Sequence, residues 1–296
     1  MFKHILVPLD GSPMAERALG PARQLAAALK AGVTLLHVVE KRPPSTVHGA
    51  RHLAGAAEAQ EYLDATARTF AGVTATPHVH AEAVGDAAAG IAEHERELNA
   101  DLVVMSAHGR GRLRTLLFGN AILRVLERGS VPVLLVPAQG GPFDGPVRSI
   151  LSPLDGEPAH EAGACVAAGL AKALGAQLLL ALVSRTAGTL RAEQSPAAEL
   201  LPGSTRVLLD IDAAEGARYV ESLARRLREG GVSVVTETER GQPARVIKAI
   251  VGRENVDLIV LGTHVRAGSK AFWEGGVAWR VCAETAKPVM LVMVKR

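Results

Sequence analysis

Cysteine is scarce in this chain: Cys165 and Cys282 are the only two, both sit among alanine or valine, and neither has C-x-x-C spacing. That gives no support to a disulfide framework or a cysteine metal cluster, and both read as small buried hydrophobes. Charge of one sign is equally lacking. A formal net charge of +3 over 296 residues offers no global field for nucleic acid, so no nucleic-acid partner is expected. No apolar run approaches the ~20 residues that a membrane-spanning helix needs. The polar stretch before Ile5–Val7 is too short for a signal peptide, which predicts a cytoplasmic protein without a membrane partner. A GxSxG elbow, a Walker A lysine and a complete GxGxxG are missing too, so no catalytic residue is assigned. His48, His52, His78 and His80 are scattered and have no identifiable carboxylate partner, so no metal site is expected.

What the chain has in abundance is repetition. "HILVPLDGSP" at His4–Pro13 returns as "SILSPLDGEP" at Ser149–Pro158, an offset of 145. "DLVVMSAHGR" at Asp101–Arg110 returns as "DLIVLGTHVR" at Asp257–Arg266, an offset of 156, so the second copy is 11 residues longer between these points. The chain is a tandem duplication. Its expected parts are residues 1–138, a Gly/Pro-rich linker at 139–146, and residues 147–296.

Within each copy, short apolar runs alternate with longer helix-period segments, the pattern of βα units feeding an open parallel sheet. Continuous Val/Ile/Leu runs predict strands covered on both faces. They fall at Lys3–Leu9, Val33–Val39, Val73–Ala81, Leu102–Met105 and Val133–Val136, then at Ser149–Pro153, Gln177–Val183, Val232–Glu239, Leu258–Leu261 and Val289–Val294. Helices are expected from a Ser12 cap to about Lys30, over Ala50–Phe70, after an Asp86 cap, and from Gly119 to about Arg128. The extra length, Ser184–Ile211, reads as a loop because of Ser195-Pro196 and Pro202-Gly203-Ser204. The last strands are apolar edges that would aggregate if bare, which predicts that they pair with one another and make the chain a built-in pseudo-dimer; two chains could pair further into a homodimer.

The stretch after the fourth strand, "SAHGRGRLRTLLFGNA" at Ser106–Ala121, carries the chemistry. Ligands of open parallel sheets bind beyond the carboxyl ends of the strands, where a helix N-terminus offers unpaired amides. Gly109, Gly111 and Gly119 allow the backbone to approach an anion closely, and Arg110, Arg112 and Arg114 add positive charge.

This stretch, with "LVPLDGS", "LLHVV" and "VPVLLVP", resembles the universal stress protein family in its tandem form. The resemblance implies an α/β fold of two open parallel sheets of order 3-2-1-4-5 paired through their last strands. It also implies ATP or AMP as ligand, with Mg²⁺ as an optional companion, bound through a pattern G-x2-G-x9-G followed by Ser or Thr. Carried over, Asp10 would hold the ribose or base edge, and the backbone at Pro8 and Val38 would frame adenine. Met105, Ser106, Gly109, Arg110, Gly119, Asn120 and Ala121 would pass the phosphates. Ser106 stands at the first motif glycine and Asn120 at the Ser/Thr position. In the second copy the matching residues are Asp155, Leu182, Gly262, Gly275 and Gly276, but Val265 replaces the second glycine, which favours an adenosine-sized ligand over ATP.

Plainer roles stand beside these. Asp10 and Asp155 precede glycines and can be simple turn formers. The three arginines can be solvated surface, and the recurring His108 and His264 can be structural. Three functions are therefore weighed: an adenine-nucleotide-binding regulatory module in stress response, a ligand-free scaffold for protein partners, and a very slow ATPase.

Overall fold

The computed structural model describes residues 1–41, 46–47, 50–53, 55–107, 119–138, 145–156, 161–190, 200–263 and 276–293. Two compact units emerge. The first holds Met1–Pro146 together with Ala286–Met293, and the second holds Val147–His264 together with Gly275–Thr285.

In the first unit β1 (His4–Pro8) leads through a 3-10 turn, Ala15–Ala18, into α1 (Leu19–Leu29) and β2 (Gly32–Glu40). The single helix expected here is thus split. Pro21 falls in the first turn of α1, where its missing N–H would have had no intrahelical partner. A short hairpin, β3 (Thr46–Val47) with β4 (Ala50–Arg51), precedes α2 (Ala56–Ala67). The helix expected from Ala50 therefore starts six residues later, because Gly55 is extended at its N-cap position. β5 (Ala75–Val84), α3 (Ala87–Glu97), β6 (Leu102–Ala107), α4 (Gly119–Arg128) and β7 (Val133–Pro137) complete the repeat.

The sheet order is β5-β2-β1-β6-β7, all parallel, which is the expected order 3-2-1-4-5. Pro77 lies in β5, the outer strand, where a missing amide costs no ladder bond on the open side. β12 (Val289–Met293), the last strand of the second repeat, pairs antiparallel with β7 through Val289–Leu135, Met290–Leu134 and Leu291–Val133. The two apolar edges cover each other, as the edge-strand argument requires.

The second unit runs β8 (Ser149–Leu154), α5 (Glu161–Leu174), β9 (Gln177–Ser184), α6 (Pro202–Glu229), β10 (Val234–Arg240), α7 (Pro243–Arg253), β11 (Leu258–Thr263) and α8 (Val277–Glu284). Its strands lie β10-β9-β8-β11, all parallel. The loop expected through Ile211 ends early: α6 begins at Pro202 and runs for 28 residues. Pro202 occupies the first helical position, which suits proline's fixed φ and lost donor, so Pro202-Gly203-Ser204 starts a helix instead of making a turn.

Duplication extends to the fine structure. The Asp101 carboxylate accepts from the amides of Lys3 and His4 at 2.7 and 3.0 Å, and Asp257 accepts from Arg148 and Ser149 at 2.8 and 3.1 Å. The aspartate of each repeated "DL" motif thus fastens the start of the first strand. Asn99 and Asn255, two residues earlier, both adopt left-handed φ, 51° and 48°, a conformation that asparagine tolerates after a helix.

Candidate functional site

β1 turns away through α1 toward β2, while β6 turns through α4 toward β7. The connections diverge, so a crevice opens between the carboxyl ends of β1 and β6. Pro8 and Asp10 stand at the end of β1, Met105 and Ser106 at the end of β6, and Val38 near the end of β2. Because α4 joins two parallel strands it runs against them, and its first turn, Gly119, Asn120 and Ala121, comes to the same tip. Amides of a first helical turn have no intrahelical acceptor. Gly109 and Arg110 lie outside the described residues, as do His108, Arg112 and Arg114.

Asp10 makes a local turn: its Oδ1 accepts from the Ser12 amide at 2.9 Å. Gly11 then takes φ +82°, and the buried Ser12 accepts from the Ala15 amide through Oγ at 3.1 Å. The turn-former role of Asp10 is therefore real. Leu53 caps the turn, since a Cβ built on Gly11 would lie 2.7 Å from Leu53 Cγ. Across the crevice, Ser106 Oγ is buried and has no hydrogen-bond partner among the described residues. A buried hydroxyl without any partner would cost about 1–3 kcal/mol.

Val38 is packed against α3, where a Cβ on Gly90 would approach its Cγ1 to 2.9 Å. Its side chain is core, and only its main chain is left for a ligand. The β2–β5 ladder breaks beside it: Val38 pairs with His80, but Glu40 pairs with Val84. Such bulges free backbone groups at sheet ends and are common next to binding sites.

α4 is held in place by charge. Asp86 caps α3 by accepting from the Ala88 amide and receives Arg124 and Arg128 of α4 at 3.0 and 3.1 Å. Desolvation opposes the charge on Asp86, but the hydrogen bond from Arg124 and the two guanidinium charges outweigh it and hold the carboxyl below its ordinary 3.8.

Behind the Asp10 turn lie two buried imidazoles, His37 at 2% and His52 at 4% exposure. His37 Nδ1 donates to the Leu9 carbonyl at 2.8 Å, which leaves Nε2 as a lone-pair acceptor with no partner among the described residues. Burial holds the His37 pKa below 6.5 against the pull of the Leu9 carbonyl, and nearby His52 lowers it further. His78 is also lowered, by burial first and then by His94 and His80. A histidine neutral in the native state binds fewer protons than in the unfolded chain, so stability falls as pH drops below 6.5 toward the lowered native values. We expect the urea midpoint to fall between pH 7.5 and 5.5, and His37→Leu to flatten that dependence. An unchanged slope in that variant would remove His37 from the account.

The second unit repeats the turn with a different cover. Gly156 has φ +86° and Asp155 is exposed. Leu182 pairs with Leu154 and takes the place of His37, fully in the core. α6 crosses above it so closely that a Cβ on Gly216 would meet Leu182 Cδ2 at 2.8 Å. Gly262 ends β11 against the first turn of α5, where a Cβ on Gly163 would be 2.5 Å from the Gly262 amide nitrogen. Gly276 is the N-cap of α8 with extended backbone, and Gly275 lies outside the described residues, as do Val265 and His264.

One feature common to both units escaped the sequence reading. The chain has two tyrosines, and they stand at equivalent places: Tyr62 Oη donates to Glu16 at 3.0 Å, and Tyr219 Oη donates to Glu161 at 2.7 Å. Glu16 and Glu161 are themselves 145 apart, the repeat offset. Desolvation raises both phenol pKa values, and the carboxylates raise them further. Each pair ties the second helix to the segment that follows the Asp-Gly turn. The signal was present in the residue counts, but α6 is displaced by the insertion and hides the alignment. Tyr62→Phe should cost about 1 kcal/mol, the net value of one partly exposed hydrogen bond, read as a lowered urea midpoint with unchanged slope.

The comparisons with known proteins agree with this duplicated architecture. The chain is 27% identical over 301 residues to a universal stress protein of Mycolicibacterium smegmatis, covering 97% of this chain and 96% of that one. It is 34% identical over 139 residues to universal stress protein Sll1654 of Synechocystis, covering 46% of this chain and 87% of the relative. The crystal structure of a universal stress protein from Archaeoglobus fulgidus superposes with TM-score 0.68 at 17% identity, covering 98% of this chain and 96% of the other, a likeness of fold. The universal stress protein family pattern matches residues 1–137 and again 146–293, and the chain belongs to that family.

Proposed function

We propose that the first unit binds an adenine nucleotide, ATP or AMP, at the crevice between β1 and β6, and that occupancy regulates a stress response. The observation that supports this most is the convergence of the Asp10 turn, the end of β6 and the first turn of α4 at one topological switch point. The residues fit such a ligand. Asp10 offers a carboxylate to ribose or base, the bulged end of β2 offers main chain, and the α4 amides suit phosphate oxygens. A triphosphate would bring Mg²⁺ on its own oxygens, and Asp10 is the carboxylate at that tip. The second unit takes at most a smaller ligand, because Val265 stands in the motif and Gly262 already serves helix packing against Gly163.

Leu53 on Gly11 favours a second reading, in which the tip is closed by its own side chains and the chain acts as a scaffold for protein partners. Mass spectrometry of the denatured protein for co-purified adenine nucleotide, followed by calorimetry with ATP and AMP, separates the two. Asp10→Ala should weaken binding about 10- to 100-fold, the worth of a hydrogen bond to a charged group. Asp155→Ala should leave the stoichiometry unchanged. A blank in both measurements supports the scaffold.

A further inference from the structure

The insertion that distinguishes the second repeat builds an arm. The first eleven residues of α6, Pro202–Asp212, contain no buried residue, and burial begins only at Ala213. At 1.5 Å per residue this stretch is ~16 Å long, and Arg240 at the end of β10 holds its last turn by donating to Asp210 Oδ1 at 2.6 Å and to the Leu209 carbonyl at 3.5 Å. Its exposed side chains are strongly apolar: Leu200 is 81% exposed, Leu201 62%, Val207 57%, Leu208 61% and Ile211 47%. At 3.6 residues per turn Val207, Leu208 and Ile211 share with Ser204 one stripe roughly 100° wide, and Leu200 and Leu201 stand just before the helix at its N-terminal end. That stripe points away from the face which carries Ala213, Val220 and Ala224 into the core. Contiguous apolar surface of this kind marks an interaction site.

We infer that this arm is a self-association surface, and that its occupant is the same arm of a second copy of this chain, antiparallel about a two-fold axis near Arg206. The pattern is self-complementary. Setting Leu201 against Ile211 of the other copy brings Leu208 onto the small Ser204, and the reverse contacts follow from the symmetry. Charge fits the same arrangement. The α6 N-terminus has no side-chain cap and no acidic residue in its first turn, so within its own first turn nothing answers its positive dipole end. Asp212 and Glu215 lie at the other end of the stripe, and antiparallel packing carries them to that N-terminus in the second copy. A lipid surface is the poorer occupant, since membrane-lying helices carry Lys and Arg on the polar face, whereas this one has Asp210 and Asp212 beside Arg206. The area is that of one short helix pair, below the ~800 Å² per partner of a stable complex, so the dimer is weak and reversible.

Sedimentation equilibrium of the full chain up to hundreds of micromolar should show reversible growth from 30.9 kDa toward twice that mass. Leu208→Asp with Ile211→Asp should hold the chain monomeric with unchanged circular dichroism, because both side chains are exposed. In a Cys165→Ser background, Val207→Cys should form a disulfide between copies that peptide mapping places at position 207, whereas Leu201→Cys, about 15 Å from its symmetry mate in this packing, should not. A chain monomeric throughout overturns the inference, whether the arm then shows hydrogen-exchange protection from its own chain or sediments with phosphatidylcholine vesicles. Association that survives the double aspartate variant overturns the surface, and equal crosslinking at 201 and 207 overturns the antiparallel arrangement.

Discussion

Gly163→Ala will destabilise the second unit by about 2–4 kcal/mol, although alanine in a helix ordinarily gains about 0.5–1 kcal/mol over glycine. The reason is distance. A Cβ at this position would stand 2.5 Å from the Gly262 amide nitrogen, 3.1 Å from its Cα and 3.2 Å from the Leu261 carbonyl carbon. All three are main-chain atoms of a core strand, which cannot rotate aside as a side chain would. α5 must lift off β11, loosening the alanine-rich face of Ala164, Ala167 and Ala171 that it buries. Gly252 supplies the control: it is exposed in α7 with nothing within 4 Å of a built Cβ, so Gly252→Ala should stabilise slightly. Hydrogen exchange read by mass spectrometry will localise the loss, with peptides of 147–263 affected first. Two variants of opposite sign from one substitution type would separate packing from helix propensity, and equal signs would contradict the close approach.

Gly11→Val should be more costly still to the first unit, about 3–5 kcal/mol, and should abolish nucleotide binding in whatever fraction stays folded. Two strains combine there. The backbone sits at φ +82°, where a β-branched residue is a strong outlier, and the new carbons would collide with Leu53. Leu53→Ala is the companion that divides these strains. It removes the collision, leaves φ unchanged, and opens the tip. On the nucleotide reading Leu53→Ala alone keeps or strengthens binding of AMP, whereas a scaffold closed by Leu53 would show no binding with or without it.

The strands were legible because doubly covered parallel strands are written as unbroken Val/Ile/Leu runs, and Leu102–Ala107 and Leu258–Thr263 stand out on that ground alone. Pairing of β7 with β12 was legible from physics, since each is an apolar edge without gatekeeping charge. The start of α6 was not, because Pro-Gly-Ser is as good a helix entry as a turn and only the following core contacts decide. The Asp10 turn could be read from Asp-Gly, but Leu53 above it could not, since the hairpin that delivers Leu53 is two residues per strand and leaves no periodicity. Gly262 is the more instructive case. In the sequence it matched a phosphate motif, and in the structure its main chain lies against Gly163 of α5, where a Cβ on Gly163 would stand 2.5 Å from the Gly262 nitrogen. Tyr62 and Glu16 are 46 residues apart, and such pairings are invisible to any local pattern.

The most direct test is calorimetric titration of ATP and of AMP into the 296-residue chain freed of nucleotide by unfolding and refolding. One ligand per chain, bound about 10- to 100-fold more weakly by Asp10→Ala and unchanged in Asp155→Ala, is the expected result. Absence of heat and of any shift in melting temperature with either nucleotide, in a chain that has regained its native circular dichroism, would contradict it.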